Sequence, residues 1–79
     1  IGKNMQTLYE CKKGTDVKVI KLNVDKSLKQ RLISFGIMKE SVITVLEHAP
    51  AKSTIEVKVG KMRIALRDQE AKGIEVKSL

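Results

Sequence analysis

The chain has 79 residues and a mass of 8.8 kDa, enough for one domain at most. Charged residues make up 32% and hydrophobic residues 42%, a globular composition rather than a disordered one, and no apolar run is long enough to span a membrane. One cysteine and one histidine exclude an intrachain disulfide and a Cys/His zinc cage, and the net charge of +7 favours an acidic partner or simply a well-solvated surface.

The first residues carry little pattern. Ile1–Asn4 precede Met5 without apolar periodicity, and are read as a cloning remnant or a disordered N-terminus, leaving residues 5–79 as one domain. No secretory leader is visible, which suggests a cytoplasmic protein. Leu8 and Cys11 are spaced i, i+3 and suit one helical turn. Lys13-Gly14-Thr15-Asp16 reads as a turn. Val17 to Leu22 then reads as the first strand. Val17 and Val19 share one face, Ile20 and Leu22 the other, so the phase slips by one residue as at a β-bulge.

After a loop at Asn23–Lys26, Ser27 and Gln30 fit a capping box. The helix should run from Ser27 to Phe35, with Leu28, Leu32 and Phe35 as its core stripe. Gly36 and Ile37 supply the residues of a Schellman ending. Strands follow over Val42–His48, Thr54–Val59 and Met62–Leu66. Gly60-Lys61 suits a type II′ hairpin, and Met62, Ile64 and Leu66 are expected to face inward. Asp68 caps a helical turn over residues 68–71, Gly73 ends it, and Ile74–Val76 form a last strand. The expected fold is mainly β: a five-stranded, nearly closed barrel, with one short α-helix between the first and second strands plugging one end.

Catalytic constellations are missing from the pattern. His48 ends a strand, Cys11 sits in an apolar slot, and the glutamates, Glu70 among them, fall at expected solvent positions. No glycine-rich phosphate loop exists. The chain reads as a non-enzyme with no cofactor, no metal site beyond weak adventitious binding, and no catalytic residue. Aromatics are 3%, so a nucleic-acid-binding barrel rests on charge alone and is the second hypothesis.

One surface feature stands out. Ile33 lies about 120–140° round the helical wheel from the core direction, between Lys29 and Gln30. Met38 follows just beyond the helix. Lys29, Ile33 and Met38 are therefore candidate partner-binding residues. The competing reading packs Ile33 under the N-terminal turn or against the barrel rim.

Together these segments resemble the FeoA family. Leu28-Lys29-Gln30-Arg31-Leu32-Ile33-Ser34-Phe35-Gly36-Ile37 resembles its "L-x-x-R-L-x-x-h-G-h" helix, where h is hydrophobic. Ala49-Pro50, Ile64-Ala65-Leu66-Arg67 and Glu70-Ala71 with Ile74-Glu75-Val76 resemble its later motifs, in order along nearly the whole chain. Departures are Lys39-Glu40 where the family often has Pro-Gly, Thr54 for a common proline, and Cys11 for leucine. The resemblance implies an SH3-like barrel and an accessory role in bacterial ferrous iron uptake. It implies contact with the cytoplasmic region of the membrane transporter FeoB, with self-association a further option and no membrane insertion. The same barrel in metal-dependent repressors makes a repressor-like regulatory domain a further alternative.

Overall fold

The computed structural model describes residues 5–79. The expectation for Ile1–Asn4 lies outside the described residues. Six strands form one antiparallel sheet in the order β1-β6-β2-β3-β4-β5. They are β1 (Met5–Thr7), β2 (Asp16–Leu22), β3 (Val42–Ala49), β4 (Thr54–Val59), β5 (Met62–Arg67) and β6 (Ile74–Ser78). Helix α1 (Lys26–Ser34) joins β2 to β3, and the single turn α2 (Asp68–Ala71) joins β5 to β6. Short 3-10 turns occupy Leu8–Glu10 and Pro50–Lys52.

The sheet curls because two strands carry bulges. In β2, Val19 faces Val76 and Lys21 faces Glu75, so Ile20 is the extra residue. In β3, Val45 faces Val57 and Glu47 faces Glu56, which leaves Leu46 over. Each bulge bends its strand and increases the local twist, so a sheet of short strands wraps round its own core. Val17, Val19, Ile43, Val45, Ile55, Val57, Leu66, Ile74 and Val76 fill that core, all buried. Leu8, Cys11, Leu32 and Ile37 join them from outside the strands.

The expected mainly β barrel is the observed fold, with corrections in detail. The described residues form six strands, because three-residue β1 pairs with β6 through Met5–Lys77, Gln6–Val76 and Thr7–Glu75. Helix α1 therefore lies between the second and third strands. Its N-cap lies two residues earlier than expected: Asp25 takes the place of Ser27, and its carboxylate accepts from the Leu28 N–H at 2.8 Å. Ser27 sits inside the first turn. Of the α1 stripe, Leu32 is fully buried while Leu28 and Phe35 pack half-buried against the core.

The helix ends as its sequence implies. Gly36 takes φ +90°, its N–H donates to the Ile33 carbonyl at 2.9 Å, and the Ile37 N–H donates to the Leu32 carbonyl at 2.9 Å. Those two bonds define a Schellman motif, and Ile37 is buried beside Leu32. At the hairpin, Gly60 has φ +60° and Lys61 does not have positive φ, as a type II′ turn requires.

Two further expectations are corrected. Met62 shares the inward face with Ile64, Leu66 and its partner Val59 but is half exposed, because it is the first residue of β5, beside the hairpin turn. Asp68 does not cap α2. The Glu70 carboxylate does so by accepting from the Arg67 N–H at 2.9 Å, and Glu70 is buried rather than solvated.

Candidate functional site

A groove of about 610 Å³ opens between α1 and the second half of β2. Lys29 and Ile33 of α1, with Met38 and Lys39 from the loop after it, line one side. Ile20, Lys21 and Leu22 of β2, with Glu75 of β6, complete it. The three residues singled out from sequence, Lys29, Ile33 and Met38, thus share one concave surface.

Each wall has a local cause. Leu32 anchors α1 in the core, which turns its neighbour Ile33 outward, at 41% exposure. The Schellman ending reverses the chain and brings Met38 back beside the helix. Ser41 holds that loop: its hydroxyl donates to the Gly36 carbonyl at 2.8 Å and accepts from the Met38 N–H at 3.1 Å. On the opposite wall Ile20 points outward by the same alternation that buries Val17 and Val19, and the β2 bulge turns Lys21 outward beside it while Leu22 comes opposite buried Ile74.

The Lys39-Glu40 turn, which departs from the Pro-Gly pattern, forms by a different route. Glu40 adopts φ +80°, a conformation glycine takes without cost. Its N–H donates to the Val19 carbonyl at 2.8 Å, and its carboxylate meets Lys18 at 3.2 Å.

The groove is apolar at Ile20, Leu22, Ile33 and Met38 and basic at its rim. Lys21, Lys29 and Lys39 stand against Glu75 alone, a net of +2 from three lysines and one glutamate. Among the described residues none of these three lysines forms an ion pair. Ile20, Lys21, Leu22, Lys39 and Glu75 were not read as site residues in the sequence. Only the phase slip at Ile20 pointed toward them.

Acid–base and metal chemistry find little to work with elsewhere. Among the described residues no three His, Cys, Asp or Glu side chains converge on one point. The fold brings His48 to Cys11, but to its carbonyl oxygen, 2.7 Å from Nε2, and not to its thiol. The thiol lies 3.5 Å from the Thr7 carbonyl. Burial, reinforced by the nearby Glu10 carboxylate, pushes the Cys11 pKa up and keeps the thiol protonated. Nothing in this pair forms a nucleophile with its base. A second concavity, of about 660 Å³, is lined by polar and charged residues, among them Lys52, Arg67, Asp68 and Lys72, and has no aliphatic or aromatic side chain in its lining.

Residues 6–78 match the FeoA domain model. The chain belongs to the FeoA family. It is 39% identical over 70 residues to a Campylobacter jejuni protein named for Fe(2+) transport protein A, covering 89% of this chain and 95% of that one. A Helicobacter pylori protein of the same name is 33% identical over 72 residues, with 90% and 92% covered. Among solved structures, the FeoA protein from Chlorobium tepidum superposes with a TM-score of 0.88 at 31% identity, over 94% of this chain and 70% of that one. A manganese-dependent transcriptional repressor superposes with a TM-score of 0.89 at 24% identity, over 100% of this chain and 44% of the repressor, a likeness of fold alone. The six-stranded barrel is thus the SH3-like fold of FeoA proteins. Among the described residues no helix is long and apolar enough to cross a membrane.

Proposed function

We propose that residues 5–79 form one FeoA-like domain that acts as a non-enzymatic, cytoplasmic accessory protein of bacterial ferrous iron uptake. It works by protein–protein contact with the cytoplasmic region of FeoB, and Lys29, Ile33 and Met38 carry that contact. Family membership supports the iron-uptake role, since FeoA relatives bear the Fe(2+) transport name. The groove supports the mode of action. There exposed Ile33 and Met38 lie beside half-buried Ile20 and Leu22, with Lys21, Lys29 and Lys39 outnumbering Glu75.

A calorimetric titration of the chain with the cytoplasmic region of FeoB tests this reading. The wild type should bind, and Ile33→Asp should bind at least about tenfold more weakly with an unchanged circular dichroism spectrum. Equal binding by a folded Ile33→Asp variant overturns it. So does affinity only for nucleic acid of unrelated sequences that falls steeply with salt, the signature of phosphate neutralisation.

A further inference from the structure

From the chemistry of the groove we infer the class of segment it accepts: a short amphipathic peptide with two or three apolar side chains flanked by carboxylates. This rests on the groove being the contact surface proposed above. Its four apolar residues come from both walls, Ile33 and Met38 on the α1 side and Ile20 and Leu22 on the β2 side. About 610 Å³ accommodates a few side chains and not a folded domain. Met38 gives one wall an adaptable, polarisable surface.

Charge selects the occupant. Lys29 and Lys39 stand on the α1 side with no carboxylate beside them in the lining, while Lys21 on the β2 side lies across the strands from Glu75, so a bound segment meets the excess positive charge mainly on the α1 flank. Carboxylates beside the apolar anchors complement them; lysines or arginines there are repelled. A second copy of this chain is disfavoured on the same ground, because a net charge of +7 on each molecule opposes association through a basic rim.

The probe is a fluorescein-labelled peptide of roughly 15 residues, with leucines at i, i+3, i+4 and i+7 and alanine and glutamate elsewhere. A control peptide carries lysine for glutamate. Fluorescence anisotropy at about 0.1 M salt compares the wild type, Ile33→Asp, Lys29→Glu and the triple variant Lys21→Glu/Lys29→Glu/Lys39→Glu. The triple change takes the rim from +2 to −4, since each substitution removes two units of charge. The wild type should prefer the acidic peptide by about tenfold or more, from three exposed charge pairs acting together. That preference should weaken in Lys29→Glu and reverse in the triple variant, and Ile33→Asp should lose both peptides.

Equal affinity for the two peptides overturns the inference. Sedimentation showing wild-type self-association that Ile33→Asp abolishes also overturns it, because the occupant is then a second copy. The FeoB titration separates the two claims. If FeoB binding needs Ile33 yet tolerates charge reversal, the acidic class is wrong and Lys29 drops out of the contact, while the reading that FeoB binds at this groove stands. If the acidic peptide binds selectively and FeoB does not, the inference stands and the functional reading falls.

Discussion

Arg31 and Glu70 are 39 residues apart in sequence, and an Arg31 Nη1 donates to Glu70 Oε2 at 2.9 Å. The other carboxylate oxygen of Glu70 accepts from the Arg67 N–H at 2.9 Å. One buried carboxylate thereby caps α2 and ties it to α1, across the barrel end that Leu32 fills. Arg31 also lies 5.8 Å from the centroid of the Phe35 ring.

The two partners of that bridge should not cost the same to remove. Glu70→Ala leaves the Arg67 N–H without its acceptor and should destabilise by about 1–3 kcal/mol. Arg31 has a side chain 55% exposed, so Arg31→Ala should cost about 1 kcal/mol or less. Urea unfolding of both variants measures the difference. An equal cost would show that the cap at Arg67 contributes nothing.

Glu40 gives a test whose sign reverses the usual order. Glycine ordinarily destabilises relative to alanine, by about 0.5–1 kcal/mol inside a helix or strand. At φ +80° the order should invert, because alanine carries the Cβ penalty and glycine does not. Both Glu40→Ala and Glu40→Gly lose the ion pair with Lys18, so that contribution cancels. Glu40→Gly should be the more stable of the two by about 1 kcal/mol. A thermal melt in which Glu40→Ala is the more stable contradicts the left-handed turn.

What the sequence disclosed and what it hid follow from the range of the forces involved. The Schellman ending at Gly36-Ile37, the Gly60-Lys61 hairpin and the slip at Ile20 are local, and the residues that cause each lie within a few positions. Strand β1 was not legible because three residues show no periodicity and their partners lie some 70 positions away, in β6. Asp25 and Ser27 can both cap a helix, and only the position of the Leu28 N–H decides between them. Glu70 reads as a surface residue until α1 delivers Arg31. The same holds for the groove. Ile33 stood out on the helical wheel, but the wall opposite it comes from β2 and is placed there by topology alone.

Cys11 predicts a pH dependence. Burial first, then the Glu10 carboxylate, raises its pKa above the ordinary 9.0, so the folded chain keeps this proton to higher pH than the unfolded chain does. The resulting stability is fully present below 9.0 and is lost as pH rises through the folded value. Cys11→Ala has no proton to release, so lysine titration is left as the shared background. The advantage of the wild type over Cys11→Ala should be constant to pH 9 and shrink above it. Curves that stay parallel to about pH 10.5 would mean that the thiol titrates alike in both states.

Leu32 and Ile33 are adjacent in α1, similar in size, and opposite in environment: 0% and 41% exposed. Leu32 lies against the barrel core, and its carbonyl accepts from the Ile37 N–H that completes the helix ending. Truncating it opens a cavity that the surrounding strands cannot close, since they are fixed by their ladders. Leu32→Ala should cost about 2–5 kcal/mol, a large share of the stability of a chain this small. Ile33 lines the groove, so its removal leaves a wider depression filled by water. Ile33→Ala should change stability by about 0.5 kcal/mol or less. Guanidinium unfolding of the two variants, with equal m-values required for the comparison, reads this directly. A cost for Ile33→Ala comparable to that of Leu32→Ala would place Ile33 in the core and remove the apolar wall on which the proposed docking surface depends.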